Sequence, residues 1–220
     1  MKNQVLHLPE RLYFVSGIDT NVGKTFATGY LARELAAQGK KVITQKFIQT
    51  GCKDISEDIL MHRTIQGIPL TEEDKQGITC PYVLSYPCSP HMASQMDGIS
   101  YDTEKIRKAS ETLCSIYDLV LLEGAGGLMV PLCEDYLTID YVAEQQPPLL
   151  LVSSGKLGSI NHTLLSLEAC ARRGIKVTGL VYNRYPVIDP LIEENTKQFL
   201  INFLRTKYPT TQWIEIPEIA

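Results

Sequence analysis

The sequence predicts an α/β fold, a doubly wound and mostly parallel sheet flanked by helices. Three observations predict it. Short apolar runs alternate with stretches of helical period along the chain. Several of those runs, such as Leu119-Val120-Leu121-Leu122 and Leu149 to Val152, are apolar throughout. Continuous apolar runs suit strands buried on both faces, as parallel strands are. The third observation is a glycine-rich turn, Gly17-Ile18-Asp19-Thr20-Asn21-Val22-Gly23-Lys24-Thr25, set between an apolar strand and a helix.

Length and charge bound the rest. The 220 residues suit one domain, expected over 1–220. Lys and Arg total 21 against 25 Asp and Glu, a net charge of −4. That balance offers no nucleic-acid footprint and little attraction to an anionic membrane. The six cysteines form no Cys-x-x-Cys pair and read as reduced thiols. Met1 to Glu10 lacks the apolar core of a signal peptide, and no apolar run reaches transmembrane length, so the expected compartment is the cytoplasm.

The first strand spans Arg11 to Ser16. The loop after it ends in Gly-Lys-Thr, and a helix follows from Thr25 to about Gln38, stopped by Gly39. Unpaired N–H groups and the helix dipole make this junction an anion site. Lys24 would reach the β/γ-phosphates, and the Thr25 hydroxyl would ligate Mg²⁺. Five residues separate Gly17 from Gly23, one more than the standard phosphate loop has. Lys41 to Ile48 is the second strand, running into a turn at Gln49-Thr50-Gly51. Lys46 is a cation inside it, either an edge lysine facing solvent or a charge aimed at a ligand.

A short helix covers Ile55 to Gln66, broken by Gly67-Ile68-Pro69. A polar stretch from Thr71 to Thr79 leads into a proline-punctuated segment, with a helical turn at Met92 to Met96. Asp102 is an N-cap for a helix reaching Ile116. Asp118 to Glu123 is the next strand. Its acid should sit at the carboxyl edge beside the phosphate loop, where it can hold Mg²⁺, and Gly124 to Gly127 would let a ligand approach. Leu137 to Gln146 is helical and stopped by Pro147-Pro148. Leu149 to Ser153 is a strand, followed by a loop and a helix from Ile160 to Arg173, a second anion-binding helix start. Lys176 to Tyr182 is a strand leading to Asn183. Pro190 to Lys207 is a helix, and Trp213 to Ile216 a last strand.

Taken together, these residues resemble the dethiobiotin synthetases, a P-loop NTPase type of enzyme from biotin biosynthesis. The likeness runs along nearly the whole chain. It is carried by the elongated Gly17-to-Thr25 loop with Asp19-Thr20 inside it, by Lys46 with Thr50-Gly51, and by Asp58. Ser89-Pro90-His91, Glu123-Gly124-Ala125-Gly126-Gly127 and Lys156-Leu157-Gly158-Ser159-Ile160-Asn161-His162 carry it further. Phe47 stands where the family has a proline, and Arg184 where it often has an acid.

The resemblance implies an ATP-dependent cyclo-ligase. It would carboxylate 7,8-diaminopelargonate with CO₂ and close the ring to dethiobiotin, releasing ADP and phosphate. Lys24 and Lys46 would be catalytic. Asn21, Val22, Gly23, Lys24, Thr25 and Phe26 would wrap the nucleotide, with Asp58, Glu123, Gly124, Ala125 and Gly126. Asn183, Arg184, Pro217, Glu218 and Ile219 would contact its base. Thr20 and Thr50 would bind the diamine or its carbamate. Gly158, Ser159, Ile160 and Asn161 would hold its carboxylate from a neighbouring subunit, which implies a homodimer. Thr25, Asp58 and Glu123 would ligate Mg²⁺. His91 and His162 are given no catalytic role. The alternative is a switch ATPase of the ParA/MinD type. Such proteins carry a lysine near the loop start, where this chain has Asp19.

Overall fold

The computed structural model describes residues 6–217. Strand β1 (Leu12–Gly17) leads through the glycine-rich loop into helix α1 (Lys24–Ala37) and strand β2 (Val42–Lys46). Strand β3 (Gln49–Thr50), helix α2 (Glu57–Gln66), helix α3 (Glu72–Lys75), strand β4 (Val83–Leu84) and helices α4 (Pro90–Asp97) and α5 (Thr103–Ile116) follow. Next come β5 (Leu119–Gly127), a hairpin of β6 (Pro131–Cys133) and β7 (Tyr136–Leu137), α6 (Thr138–Gln145) and β8 (Leu149–Ser154). Helix α7 (Ser159–Arg172), β9 (Val177–Asn183), α8 (Pro190–Lys207) and β10 (Gln212–Ile216) complete the described chain.

Six strands form one parallel sheet in the order β10-β9-β8-β1-β5-β2. The chain first builds outward from β1 to β2 and β5, then crosses β1 to place β8, β9 and β10 on its other side. That reversal is where doubly wound sheets bind ligands, beyond the carboxyl ends of the strands.

Alternation along each strand divides the core between two faces. Phe14, Leu122, Leu151 and Tyr182 pack on one side; Tyr13, Val15, Leu121, Leu150 and Val152 pack on the other. The expected strands and long helices are present within a residue or two at each end, apart from the carboxyl end of β5.

Three local expectations change. Gln49-Thr50 is not a turn but a strand, paired in parallel with Val83–Leu84. Glu123 does not end its strand, because the glycines after it continue β5 to Gly127, paired there with Gly17. Glycine's missing side chain is compatible with this extended ladder, so a glycine run alone does not distinguish loop from strand. The polar stretch after Thr71 contains α3, stabilised by a reciprocal capping box between Thr71 and Asp74. The β6–β7 hairpin has too few residues to carry a readable alternation.

Candidate active site

The sheet register assembles the site. Lys46 on β2 lies opposite Glu123 on β5, Gly17 opposite both Gly127 and Val152, and Ser154 opposite Asn183. The last residue of β2, the acid of β5, the start of the loop and the end of β9 therefore share one edge.

At that edge the loop folds back on itself. Lys24 Nζ donates to the Asp19 carbonyl at 2.9 Å. Gly23 has φ +89°, a left-handed conformation that suits glycine. A Cβ there would lie 2.2 Å from Asn183 Nδ2. The Asn183 amide is close because it donates to the Val22 carbonyl at 3.0 Å, while its Oδ1 accepts from Tyr185 N at 3.2 Å. Helix α1 starts at Gly23 with no side-chain cap. Its first N–H groups thus have no cap of their own and suit an anion.

Beneath the loop sits a cluster of charge. Thr25 Oγ1 lies 3.1 Å from both Asp58 Oδ1 and Glu123 Oε1. Lys46 Nζ pairs with Asp58 Oδ2, with Glu123 Oε1 at 2.8 Å and with the Gly124 carbonyl at 3.2 Å. Lys46 is on an edge strand, yet it is only 4% exposed, so it does not face solvent. The segment after α3 covers that edge, with Thr79 accepting from Lys46 N at 2.7 Å.

Burial alone would lower the Lys46 pKa, but the Glu123 and Asp58 carboxylates outweigh it and raise it. Burial would likewise raise that of Glu123, but Lys46 and His62 hold it well below the usual range. Lys24 goes the other way. Desolvation dominates and brings its ammonium down to about 8, against a pull from Glu123. With Lys24 and Lys46 charged and Asp58 and Glu123 ionised, the cluster is neutral, so a triphosphate placed here needs further positive charge.

Sequence reasoning missed two supports. Gln49 Oε1 accepts from Ser56 Oγ at 2.6 Å and lies 3.4 Å from the Asp58 N–H, tying β3 to the first turn of α2. His62, four residues after Asp58, places Nε2 2.7 Å from Glu123 Oε2. The i, i+4 spacing puts both on one helix face, which was the available signal.

A cavity of about 410 Å³ opens over the cluster. Its lining includes Thr20, Asn21, Gly23, Lys24, Thr25, Lys46, Thr50, Asp58, Glu123, Ala125 and Gly126, all expected, with Ile48 and Gln49 added. Val22, Phe26, Gly124 and Asn183 do not line it, although Val22, Phe26 and Gly124 flank lining residues in the chain. Arg184 pairs with Glu193 at 3.2 Å and Glu215 at 3.5 Å. Pro217 lies just beyond β10, and Glu218 and Ile219 fall outside the described residues. Gly158, Ser159, Ile160 and Asn161 open α7 and do not line this cavity, with Ser159 Oγ 2.9 Å from Ser154 Oγ. A second, more apolar cavity of about 380 Å³ shares Thr20 with the first and reaches His162 and Leu165 on α7. His91 lines a separate cavity with Tyr101 and Cys133.

The donor set suits a hard cation. A hydroxyl and two carboxylates converge, all oxygen. Among the described residues no group of three or more His, Cys, Asp or Glu could hold a metal. Mg²⁺ fits that situation, since it is commonly bound by one or two carboxylates with substrate phosphates and water.

The family model described as an AAA domain matches residues 11–208. The chain is 54% identical over 201 residues to the ATP-dependent dethiobiotin synthetase BioD 2 of Pasteurella multocida, covering 91% of this chain and 94% of that protein. It is 60% identical over 182 residues to the protein of the same name from Haemophilus influenzae, covering 83% and 95%. Among solved structures, the MinC:MinD complex of Aquifex aeolicus aligns with a TM-score of 0.57 at 19% identity, covering 96% of this chain and 82% of that one. The pNOB8 ParA structure bound to nonspecific DNA aligns at 0.55 and 16%, covering 91% and 78%. At such identities these two likenesses concern the fold.

Proposed function

The chain belongs to the ATP-dependent dethiobiotin synthetases, and from that premise we propose that it closes 7,8-diaminopelargonate, CO₂ and ATP into dethiobiotin, ADP and phosphate as a cyclo-ligase of biotin biosynthesis. The observation that carries this reading is the meeting of Lys24, Lys46, Thr25, Asp58 and Glu123 around one cavity. The ParA/MinD alternative rests on a distant likeness of fold.

One amine of the diamine takes up CO₂ as a carbamate. A carbamate oxygen attacks the γ-phosphorus of ATP, the bond to the β-bridging oxygen breaks, and ADP leaves. The second amine then attacks the carbamoyl carbon of the mixed anhydride. It loses a proton, phosphate departs, and the cyclic urea remains. Phosphoryl transfer asks the protein for alignment and charge neutralisation. Lys24 and the first N–H groups of α1 would hold the β/γ-phosphates. Lys46 would turn from Asp58 and Glu123 to the carbamate and the γ-phosphate, where charge develops. Mg²⁺, held by Thr25, Asp58 and Glu123, would supply the further positive charge that the neutral cluster lacks.

Thr20 and Thr50, which both line the cavity, would hydrogen-bond the diamine or its carbamate. Asn21, Val22, Gly23, Phe26, Gly124, Ala125 and Gly126 would shape the nucleotide site, and Asn183, Arg184 and Pro217 would contact its base. Gly158 to Asn161 would hold the substrate carboxylate of a second copy. Leu157, Leu165 and Met129, exposed at 85, 61 and 56%, give that region an apolar surface suited to homodimer contact. No helix of the described residues is long and apolar enough to cross a membrane, and a cytoplasmic enzyme acting without nucleic acid or membrane is the reading proposed.

The test is ADP release with each substrate omitted in turn. The reading expects turnover only when diamine and bicarbonate are both present. ATP hydrolysis driven by DNA or lipid and indifferent to the diamine would exclude it.

A further inference from the structure

His62 has a place in the site that no family motif above assigned. It lies on α2, and its ring is fully buried. Nε2 lies 2.7 Å from Glu123 Oε2. Nδ1 is buried with no hydrogen-bond partner.

The geometry fixes the direction of this bond. The Glu123 carboxylate, paired with Lys46 Nζ at 2.8 Å, is the acceptor. An imidazole lacking hydrogen on Nε2 would set a lone pair against the carboxylate. Hydrogen on Nε2 supplies the donor that this contact requires.

The two oxygens of Glu123 are then divided. Oε1 faces Lys46 Nζ at 2.8 Å and Thr25 Oγ1 at 3.1 Å, toward the cavity. Oε2 faces away from it, to His62. In the function proposed above, both partners of Oε1 would take new ones, Lys46 the carbamate and γ-phosphate and Thr25 the cation. Nothing in that function would displace the contact at Oε2.

We propose that His62 is a positioning residue, whose Nε2–H anchors Oε2 of Glu123 so that Oε1 remains aimed at the cation site when Lys46 leaves. This rests on Glu123 as a metal ligand in the function proposed above. A carboxylate with only its cavity-side partners would be free to rotate as they exchange. Hydrogen bonds from behind a ligand of this kind typically carry about 10- to 100-fold in metal affinity or activity.

The bland reading is that His62 fills space between α2 and the sheet. It does lie at a close helix crossing, since a Cβ on Gly29 of α1 would come within 3.3 Å of His62 Cα. Three variants separate the readings. His62→Leu fills the volume without a donor. His62→Asn is polar but too short to reach Oε2. His62→Gln can carry an amide N–H to about the position of Nε2.

The experiment is a fluorescence titration of a labelled ATP analogue, first in EDTA and then against rising Mg²⁺, with the melting temperature of each variant recorded. His62→Leu and His62→Asn are expected to need about 10-fold more Mg²⁺ or beyond for half-saturation, with EDTA affinity within about twofold of wild type, and His62→Gln is expected to recover most of the shift. In turnover, kcat falls while KM for the diamine holds. If His62→Leu does not fold, His62→Asn and His62→Gln still give the contrast. Equal Mg²⁺ requirement across wild type, His62→Asn and His62→Gln would overturn the proposal, whatever happens to melting temperature. The titration reads nucleotide and metal alone. Failure to form the cyclic urea would therefore overturn the assigned reaction without touching this result, and a flat Mg²⁺ response would overturn the role of His62 without touching the reaction.

Discussion

Lys46 and Glu123 face each other across β2 and β5, paired residue to residue in the parallel register, and their side chains close an ion pair of 2.8 Å. Both are buried, at 4 and 0% exposure. Removing two charges from water costs about as much as their attraction returns, so such a pair is weak evidence for stability. Its second acid, Asp58, and the cavity above it give the reason to keep it. Lys46→Ala leaves Glu123 buried with one cation fewer, and the expected loss is about 3 kcal/mol in denaturant unfolding. Labelled ATP is expected still to bind the folded variant, because Lys24 and the loop amides remain, while ring closure is lost. Wild-type turnover in Lys46→Ala would return Lys46 to a purely structural role.

Arg63 and Asp74 form a second buried pair, outside the cavity. The guanidinium gives two bonds of 2.8 Å to the carboxylate, one to each oxygen. It also reaches Thr44 and Gln66, while Asp74 accepts from Thr79 and the Thr71 backbone. Asp74→Asn strands the guanidinium and is expected to cost about 3 kcal/mol. Activity per folded molecule should be unchanged, since neither residue lines the cavity.

The same pair sets a pH dependence. Burial would raise the Asp74 pKa, but Arg63 and the hydrogen bonds hold it below its ordinary value. A depressed carboxylate pKa means the unfolded chain binds more protons than the folded one as pH falls. The contribution of Asp74 is therefore complete above about pH 4 and lost as pH drops through the lower folded value. Stability curves of wild type and Asp74→Asn should converge in acid and separate toward neutrality. Parallel curves would contradict the assignment.

Gly23→Ala combines two faults. A left-handed φ costs a residue with a Cβ roughly 1–2 kcal/mol. The new carbon also collides with the Asn183 amide, 2.2 Å away. The loop must move to accommodate it. ATP affinity is expected to fall by about tenfold or more, equivalent to about 1.4 kcal/mol, in the fluorescence titration. Unchanged affinity would show that this loop conformation is not the binding one.

Asn183 offers a comparison of nucleotides. Its amide already spans the Val22 carbonyl and the Tyr185 N–H. Losing one such bond is worth about 1 kcal/mol, or about fivefold in affinity. If its main contribution is to brace the loop, Asn183→Ala should weaken ATP and GTP alike. A loss confined to ATP would instead assign Asn183 chiefly to reading the base.

Much of this arrangement was legible in the residues. Continuous apolar runs identified the parallel strands, and Gly-Lys-Thr located the edge where they open. Lys46 was ambiguous for a physical reason. Strand β2 is at the sheet edge, as the solvent-facing reading supposed, but Thr79 and its neighbours, far along the chain, cover that edge. No local pattern reports such a cover. Gln49 was hidden because a two-residue strand is too short for a period to show. His62 was hidden because a lone histidine on a helix is ordinary. Only the fold reveals that it stands behind Glu123 and not beside solvent.

The most direct test of the central claim follows the carbon. The protein is incubated with ATP, Mg²⁺, 7,8-diaminopelargonate and isotopically labelled bicarbonate, and the products are read by mass spectrometry. The account predicts a cyclic urea carrying the label, formed in equal amount with ADP and phosphate and absent with Lys46→Ala. ADP and phosphate produced with no labelled urea would contradict it.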